Sequence, residues 1–487
     1  MMVAMVQEEK AAPGRPAAGR PAAGKPRAAA PQQFGGGLLA PVHGLLARPL
    51  SSYYLLLASA GLLLLIGLTM VFSATSVEAY AKHGNALSLA ANQGMFAAIG
   101  LVGFWVCQRL PASTLRTVGA VVLGVAIVLL AILDLLDGLK RLGVLDEAKI
   151  GPVSAYLLWL NLGPVQVQPS ELAKLGLVLW GAAMIARKGA ALAHWRELAM
   201  PLFPVVGVLF VLVGYNDLGT MLVMLALVVG LLWAAGVRLK IFAALGVLAM
   251  TGVALLIAAA SVGAGSGDAD ADNYRFARIT TFLQSPEDCS LDDCYQILQA
   301  RSAIYEGGWF GVGLGKSTLK WDWLPEEDTD FIFAVVAEEL GVVGCFVILT
   351  LFSVLAYTGF RIARRSEHPF RGLAAAAITT WLVVQAVINI GGVVGVLPIT
   401  GLPLPFISAG GSALVVAMCA IGMLASFARS EPDAARALHA RPPARWVRLV
   451  WAPLPPLPPP RRPAAPRPTA DQAGPRAPVG AGGERRR

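Results

Sequence analysis

Several ionisable residues lie inside or beside long apolar runs, where a charge is costly and usually kept for a purpose. Glu171 and Lys174 lie three apart in Gln168-Pro169-Ser170-Glu171-Leu172-Ala173-Lys174, so they share a helical face and can neutralise each other. Asp217 opens another run in Asp217-Leu218-Gly219-Thr220, and Glu338 and Glu339 lie about two turns into a third. For each, an ion pair or a helix cap competes evenly with a functional reading, and Asp217 is an ordinary cap by type and place. The densest acidic group, Asp322, Glu326, Glu327, Asp328 and Asp330, precedes an unbroken apolar stretch. Most of these acids read as solvated. Asp330 stands where water ends and the helix begins. Partial desolvation there raises a carboxylate toward the range of a working general base. On spacing alone, a cap is the commoner reason for an acid at such a position.

A second chemical signal is backbone. The run Gly401-Leu402-Pro403-Leu404-Pro405-Phe406-Ile407-Ser408-Ala409-Gly410-Gly411-Ser412 is too rich in Pro and Gly to be helical. Irregular backbone at membrane depth is tolerated only when buried in protein or lining a polar cavity, so this loop is expected to line the site. The five histidines are scattered and no zinc-type Cys/His spacing occurs, so no metal site is expected. No Walker loop or dinucleotide fingerprint is present, and Gly311, Gly313 and Gly315 read as a turn.

The elements that must position these residues are legible from composition. The 487 residues are 56% hydrophobic and 14% charged. Soluble domains carry about a quarter charged residues, so lipid is the solvent here. Apolar blocks long enough to cross about 30 Å of hydrocarbon fall at 53–73, 88–108, 117–136, 169–186, 198–215, 217–235, 241–262, 331–358, 372–395 and 409–428. The expectation is an all-α polytopic membrane protein of about ten helices, its least certain division falling near Asn216. Arg109, Arg116, Arg187, Lys188, Arg196, Arg238, Lys240, Arg361, Arg364, Arg365 and Arg371 fall on one side. The positive-inside rule makes that side cytoplasmic, with both basic termini there. The net charge of +9 therefore reflects topology rather than a nucleic-acid partner. Residues 1–50 lack a signal-peptide core, so the first span is itself the targeting signal. That segment and the Pro/Arg-rich 431–487 read as disordered tails; the latter is held near anionic lipid or docks a cytoplasmic partner. Residues 263–330 form a long outer loop. Its aromatic second half should pack on the membrane domain or lie at the interface. Cys289 and Cys294 in it are either a local disulfide or two free thiols.

Met70-Val71-Phe72-Ser73-Ala74-Thr75-Ser76, the 168–174 run, Asp217 to Thr220, Pro325 to Glu339 and the 401–412 loop together resemble the SEDS family (shape, elongation, division and sporulation) over about 50–430. The long Pro/Arg tails look like its actinobacterial division branch rather than its elongation branch. The resemblance implies an inverting peptidoglycan glycosyltransferase that polymerises lipid II on the outer face of the plasma membrane. It would work beside a class B penicillin-binding protein and other division proteins. Asp330, in Thr329-Asp330-Phe331-Ile332-Phe333-Ala334, takes the place of the family's essential acid. Substrate-binding positions then fall at Glu171, Lys174, Asp217, Lys316, Lys320, Glu326, Glu339, Ser408, Gly410 and Gly411. Arg275 and Arg278 are further cations for the pyrophosphate. No cofactor is implied, and a divalent cation stays open.

Two positions depart from the family pattern. Leu157 and Leu158 precede Trp159 where family members carry an Arg beside the Trp, so Lys140, Arg141 or Lys149 would have to supply that charge. Ala409 stands where a Tyr is usual. Paired intramembrane charges and broken outer loops also fit a lipid II flippase. Against that, the acids cluster outside rather than at mid-membrane. A non-catalytic division scaffold is a further alternative, and an intact Asp330 argues against it.

Overall fold

With no water in hydrocarbon to satisfy N–H and C=O groups, a crossing segment must close its own hydrogen bonds, and the apolar blocks do so as helices. The structure, a computed structural model, describes residues 44, 46–145, 147–163, 165–189, 195–214, 217–240, 242–243, 246–247, 251, 291–321, 324 and 326–458. Residues 1–47 form a unit apart from 48–487, and only residues 44, 46 and 47 of it are described.

The membrane helices are α1 (Ser51–His83), α2 (Ser88–Arg109), α3 (Ala112–Arg141), α4 (Pro169–Lys188), α5 (Trp195–Gly214) and α6 (Leu218–Ala234). After α7 (Leu291–Gly307) come α8 (Ile332–Arg365), α9 (Pro369–Val394) and α10 (Gly411–Arg429). Six of these are long and apolar enough to span a membrane by themselves, among the described residues. The long apolar stretch does divide near Asn216, since α5 ends at Gly214 and α6 begins at Leu218. The expected span at 241–262 lies almost wholly outside the described residues, as do Arg275, Arg278 and Cys289.

The helices pack in pairs: α10 on α2, α3 on α4, and α8 on α1 and α9, with α9 also against α6. Small residues set these approaches, as is usual where lipid supplies no hydrophobic drive between helices. A Cβ on Gly422 of α10 would stand 2.4 Å from the Phe104 carbonyl oxygen of α2, and one on Gly176 of α4 would stand 2.7 Å from Leu123 backbone of α3.

Two features depart from the sequence reading. A four-stranded antiparallel meander, β1 (Lys149–Ile150), β2 (Val153–Tyr156), β3 (Trp159–Leu162) and β4 (Val165–Val167), joins α3 to α4. Leu160 fixes it to α3 by packing on Leu133 and Leu136. Leu157 and Leu158 form the β2–β3 turn, with Leu157 at φ 51° and 75% exposed. Strands of two to four residues carry too short an alternation to be read in advance.

The stretch after 431, expected to be an unstructured tail, begins with α11 (Pro432–Ala440) and α12 (Arg445–Val450). It is strapped across the basic end of the bundle. Trp451 Nε1 donates to Tyr53 Oη at 2.6 Å, Arg109 donates to the Leu449 and Val450 carbonyls, and Arg429 donates to the Ala452 carbonyl at 3.3 Å. Arginines at helix ends find carbonyls there that composition does not reveal. Residues 459–487 lie outside the described set.

α8 is not continuous. Gly341 sits at φ 67°, ψ −167°, and the chain from 307 to 313 threads through the break. The amides of Val312 and Gly313 donate to the carbonyls of Glu338 and Glu339, and those of Val342 and Val343 donate to Gly308 and Trp309. Cβ atoms on Gly307, Gly311 and Gly341 would fall 1.9, 2.1 and 2.5 Å from backbone atoms across this crossing. Of the alternating glycines, Gly311 belongs to this close-packed crossing, while Gly313, near only the Lys316 side chain, and Gly315, in open space, lie on a turn closed by Lys316 N donating to the Gly313 carbonyl at 3.2 Å. Gly84, which ends α1 at φ 65°, meets nothing within 4 Å. Gly84→Ala should cost about 1–2 kcal/mol, the left-handed penalty alone. Gly341→Ala adds a backbone clash, and should lower the thermal midpoint in detergent well beyond Gly84→Ala. Equal midpoints for the two variants would contradict a close-packed break.

Candidate functional site

Two elements meet at the N-terminal end of α8. One is the 326–331 turn that carries Asp330; the other is the 401–410 loop. The loop is held from several sides. Ser408 Oγ donates to the Thr329 carbonyl at 2.6 Å and accepts from Leu404 N at 2.7 Å. Ala409 N donates to the Asp328 carbonyl at 2.8 Å. Asn389 of α9 donates through Nδ2 to the carbonyls of Asp330 and Leu402, at 2.8 and 2.7 Å. Gln93 of α2 reaches the Ser408 carbonyl at 3.2 Å. Gly67 of α1 gives room: a Cβ there would lie 2.2 Å from the Phe406 carbonyl oxygen. Asp330 and Phe331 line a small pocket with Asn389, Ile399, Thr400 and Leu402. Asp330 is therefore half-buried at a junction whose backbone is fixed by side chains of a neighbouring helix.

Glu171 and Lys174 form the expected pair, at 2.7 Å, with their side chains 2% and 0% exposed. The sequence did not show their further partners. Lys174 Nζ also donates to Gln385 Oε1 at 2.9 Å and lies 5.4 Å from the centre of the Trp381 ring. Trp381 Nε1 donates to the same oxygen at 2.8 Å, and Gln385 Nε2 donates to the Pro403 carbonyl at 2.9 Å. The buried lysine thus reaches the 401–410 loop through one amide. Gln385 and Asn389 are residues sequence reasoning missed, and their signal was an amide amid the apolar run of α9. Asp217 is the helix cap its type suggested, accepting from Thr220 N at 2.7 Å and Thr220 Oγ1 at 2.6 Å. It is buried at the start of α6.

Glu338 and Glu339 end the first segment of α8 and are 0% and 1% exposed. Among the described residues neither makes an ion pair or cap; both carboxylates accept from hydroxyls and amides. Thr318 N and Oγ1 donate to Glu338 Oε1 at 2.7 and 2.8 Å, and Ser317 Oγ donates to Oε2 at 2.5 Å. Ser73 Oγ of α1 lies 2.7 Å from both Glu339 oxygens and accepts from Gly315 N at 3.1 Å. Lys316 is exposed, while Lys320 is 8% exposed with its ammonium donating to the Gly315 carbonyl.

Of the other acids, exposed Glu326 sits at φ 59° and accepts from Thr329 Oγ1 at 2.7 Å. Burial, then Glu326 and Glu78, push Asp328 up to about 6. Gly410 and Gly411 start α10, where a Cβ on Gly411 would meet the Phe96 ring at 2.6 Å. The aromatics Trp309, Phe310 and Trp321 are 71%, 83% and 63% exposed, so they do not pack on the described membrane domain. Among the described residues, no three His, Cys, Asp or Glu converge as a metal site.

Removing one partner of a buried pair leaves an uncompensated charge, so Lys174→Met should destabilise by about 3–5 kcal/mol. Lys174→Met combined with Glu171→Leu should recover much of that loss, read as midpoints of thermal unfolding in detergent. A double variant no better than the single would sink the pair as the cause. The raised Asp328 carboxyl has its own signature. Its folded pKa lies above the unfolded value, so ionisation opposes folding: the effect is absent well below pH 4 and complete above about pH 6. Asp328→Asn should therefore gain stability relative to wild type at pH 8 but not at pH 4. A pH-independent difference would refute the assignment.

Comparison with known proteins places the chain in a family. The FtsW/RodA/SpoVE family model, described as cell cycle protein, matches residues 53–432. A relative in Mycobacterium tuberculosis named probable peptidoglycan glycosyltransferase FtsW is 40% identical over 418 residues, 85% of this chain and 75% of that one. Stage V sporulation protein E of Bacillus subtilis is 35% identical over 370 residues, 76% of this chain and 94% of that one. Among solved structures, the rod shape determining protein RodA of Thermus thermophilus superposes with a TM-score of 0.51 at 24% identity, covering 77% of this chain and 96% of its own. A chain from "Structural coordination of polymerization and crosslinking by a peptidoglycan synthase complex" gives 0.58 at 24%, covering 79% and 99%. The helical frame, the 401–412 loop and a match across 53–432 agree: the chain belongs to the FtsW/RodA/SpoVE family, the SEDS membrane proteins.

Proposed function

We propose that the chain is a peptidoglycan glycosyltransferase of the division type, polymerising lipid II into glycan strands, with Asp330 as its general base. The placement of Asp330 carries this reading. The residue stands just before α8, on a turn pinned to α9 by Asn389 and to the 401–410 loop by Ser408. A base must be held still relative to its substrate, and a half-buried carboxylate on fixed backbone meets that need. The relatives named as glycosyltransferases of the FtsW type support the activity and the division branch. An elongation-type polymerase remains the second reading, supported by the RodA-like frame.

In the mechanism, Asp330 removes the proton of the GlcNAc 4-hydroxyl of the acceptor lipid II. That oxygen bonds to the MurNAc anomeric carbon of the growing chain from the face opposite the leaving group. The bond to undecaprenyl pyrophosphate breaks, its electron pair leaves with the pyrophosphate, and the configuration inverts. The leaving group needs cations more than acid. Exposed Lys316 is one cation that can serve there. Lys174 acts instead through Gln385, holding the loop against which the sugars rest. Asp217 supports the start of α6 as a cap, and Gly410 and Gly411 keep the start of α10 narrow beside Phe96.

The basic end of the bundle is read as cytoplasmic and the Asp330 end as the outer face. A class B penicillin-binding protein is the partner that would crosslink the product, a reading supported by the structural neighbour from a complex coordinating polymerization and crosslinking.

Losing the base should lower glycan polymerisation by about 10²–10⁴-fold, so Asp330→Ala and Asp330→Asn should give no visible polymer from labelled lipid II on a gel. Both variants should keep the wild-type unfolding midpoint within a few degrees. Polymerisation by a folded Asp330 variant at the wild-type rate would remove Asp330 from this role. Transport of lipid II across a vesicle bilayer by a wild type that makes no polymer would favour the flippase.

A further inference from the structure

Protein interiors leave few voids larger than a water, because an unfilled apolar gap forfeits the dispersion contacts of the atoms that line it. A cavity of about 1020 Å³ nevertheless stands between the ends of α4, α6 and α8 and the start of α9. Ligand sites typically hold about 300–1,000 Å³. The room comes from small residues: Ala186, Ala226, Ala234, Ala363, Gly372 and Ala376 all line it. The cavity is also long. Along α9 its lining runs from Pro369 to Val384, about 22 Å of helix. One leaflet of hydrocarbon is about 15 Å deep, half of a core of about 30 Å. The cavity thus has the length of a lipid chain with its headgroup attached. The deep end offers no free donor. Thr380 spends its hydroxyl on the Ala376 carbonyl at 2.9 Å, and Gly230 is pressed against it, since a Cβ there would fall 2.5 Å from Thr380 Oγ1. The other end carries a charge. Of the described lining residues, Arg364 alone is ionic; it lies in the last turn of α8 and is exposed. Among the described residues it makes no ion pair, whereas the adjacent Arg365 is held by Glu431 at 3.5 Å. Trp233 lines the cavity too, 68% exposed and shortly before Arg238 and Lys240. A tryptophan beside basic residues marks the level of lipid headgroups.

We propose that this cavity binds one acyl chain of an anionic phospholipid from the leaflet at the basic end of the bundle, with the headgroup phosphate on Arg364. The phosphodiester supplies the negative charge that Arg364 otherwise lacks, and the chain supplies the missing apolar contacts. Arg364 is at the opposite end of α8 from Asp330, so this lipid site is separate from the sugar site. The two communicate through α9. Thr380 and Val384 line the cavity, while their neighbours Trp381 and Gln385 hold Lys174 and the Pro403 carbonyl. A seated chain therefore packs against the helix that holds the 401–410 loop, and steadies it.

The test gives full-length protein in detergent phosphatidylglycerol, phosphatidylcholine, undecaprenyl phosphate or inorganic phosphate. Native mass spectrometry counts the retained lipid, and thermal unfolding reads its effect on the fold; neither depends on polymerisation. One phosphatidylglycerol should be retained per chain and should raise the unfolding midpoint. It should bind about fivefold more tightly than phosphatidylcholine, the worth of one Arg beside an anionic headgroup. Arg364→Gln should bind the two phospholipids alike. Ala226→Phe with Ala376→Phe fills the cavity, and should abolish retention while keeping the lipid-free midpoint at or above that of wild type. If that double variant does not fold, Arg364→Gln carries the test. Unchanged retention by the filled variant, equal binding of the two phospholipids by wild type, or a wild type that retains neither would overturn the proposal. So would inorganic phosphate raising the midpoint as far as phosphatidylglycerol does, which needs no chain site. Undecaprenyl phosphate displacing phosphatidylglycerol at lower concentration would also overturn it, by giving the cavity to a prenyl carrier.

Discussion

The arrangement around Asp330 depends on one exchange of hydrogen bonds. A helix in hydrocarbon cannot leave its amides unmade, yet α8 is interrupted at Gly341. Its freed carbonyls at Glu338 and Glu339 accept from Val312 and Gly313, and its freed amides at Val342 and Val343 donate to Gly308 and Trp309. The loop therefore completes the helix, and the helix completes the loop. Neither can be displaced without exposing unpaired backbone, which costs far more in a low-dielectric setting than in water. The short segment Ile332 to Leu340 becomes a separate rigid rod, with the acidic turn at one end and the carboxylate pair at the other.

Polar side chains then fix both ends of that rod to the bundle. At the first end, Asn389 bridges the Asp330 and Leu402 carbonyls, and Ser408 bridges Thr329 and Leu404. At the second, Ser73 ties Glu339 to α1. Farther in, Lys174, Glu171, Gln385 and Trp381 form a network that ends on the Pro403 carbonyl. The buried donors and acceptors named here are paired, apart from Asn389 Oδ1, and such pairing is what lets polar groups sit among apolar helices. The 401–410 loop is thus irregular in conformation yet held on several faces. Phe406, at φ 67° and 2% exposed, shows that its backbone is held in a region a bulky residue rarely adopts.

The opposite end of the molecule is closed differently. There the chain after α10 lies across the starts and ends of α1, α2 and α10, with Trp451 against Tyr53 and its carbonyls meeting Arg109 and Arg429. Arginines near helix ends would otherwise face water or lipid headgroups; here part of the tail takes their donors.

By itself the sequence determined the helical membrane frame and the positions of most crossings. Those depend on long apolar runs, on the placement of Lys and Arg, and on Pro- and Gly-rich breaks, all of which are local. It also showed Glu171 with Lys174, because three-residue spacing on a helix implies contact, and Asp217 as a cap, because Asp before a helix has one cheap partner. It did not show that Lys174 would be fully buried and linked to Gln385, since those residues are 211 apart in the chain. Nor did it show that Glu338 and Glu339 would be met by Ser73, Ser317 and Thr318, or that the glycines at 307, 311 and 341 mark one crossing. Only the tertiary structure decided these, because a carboxylate's partner and the space around a Cα are set by which distant segments come together. Local pattern fixes what a segment can be, and long-range packing fixes what it meets.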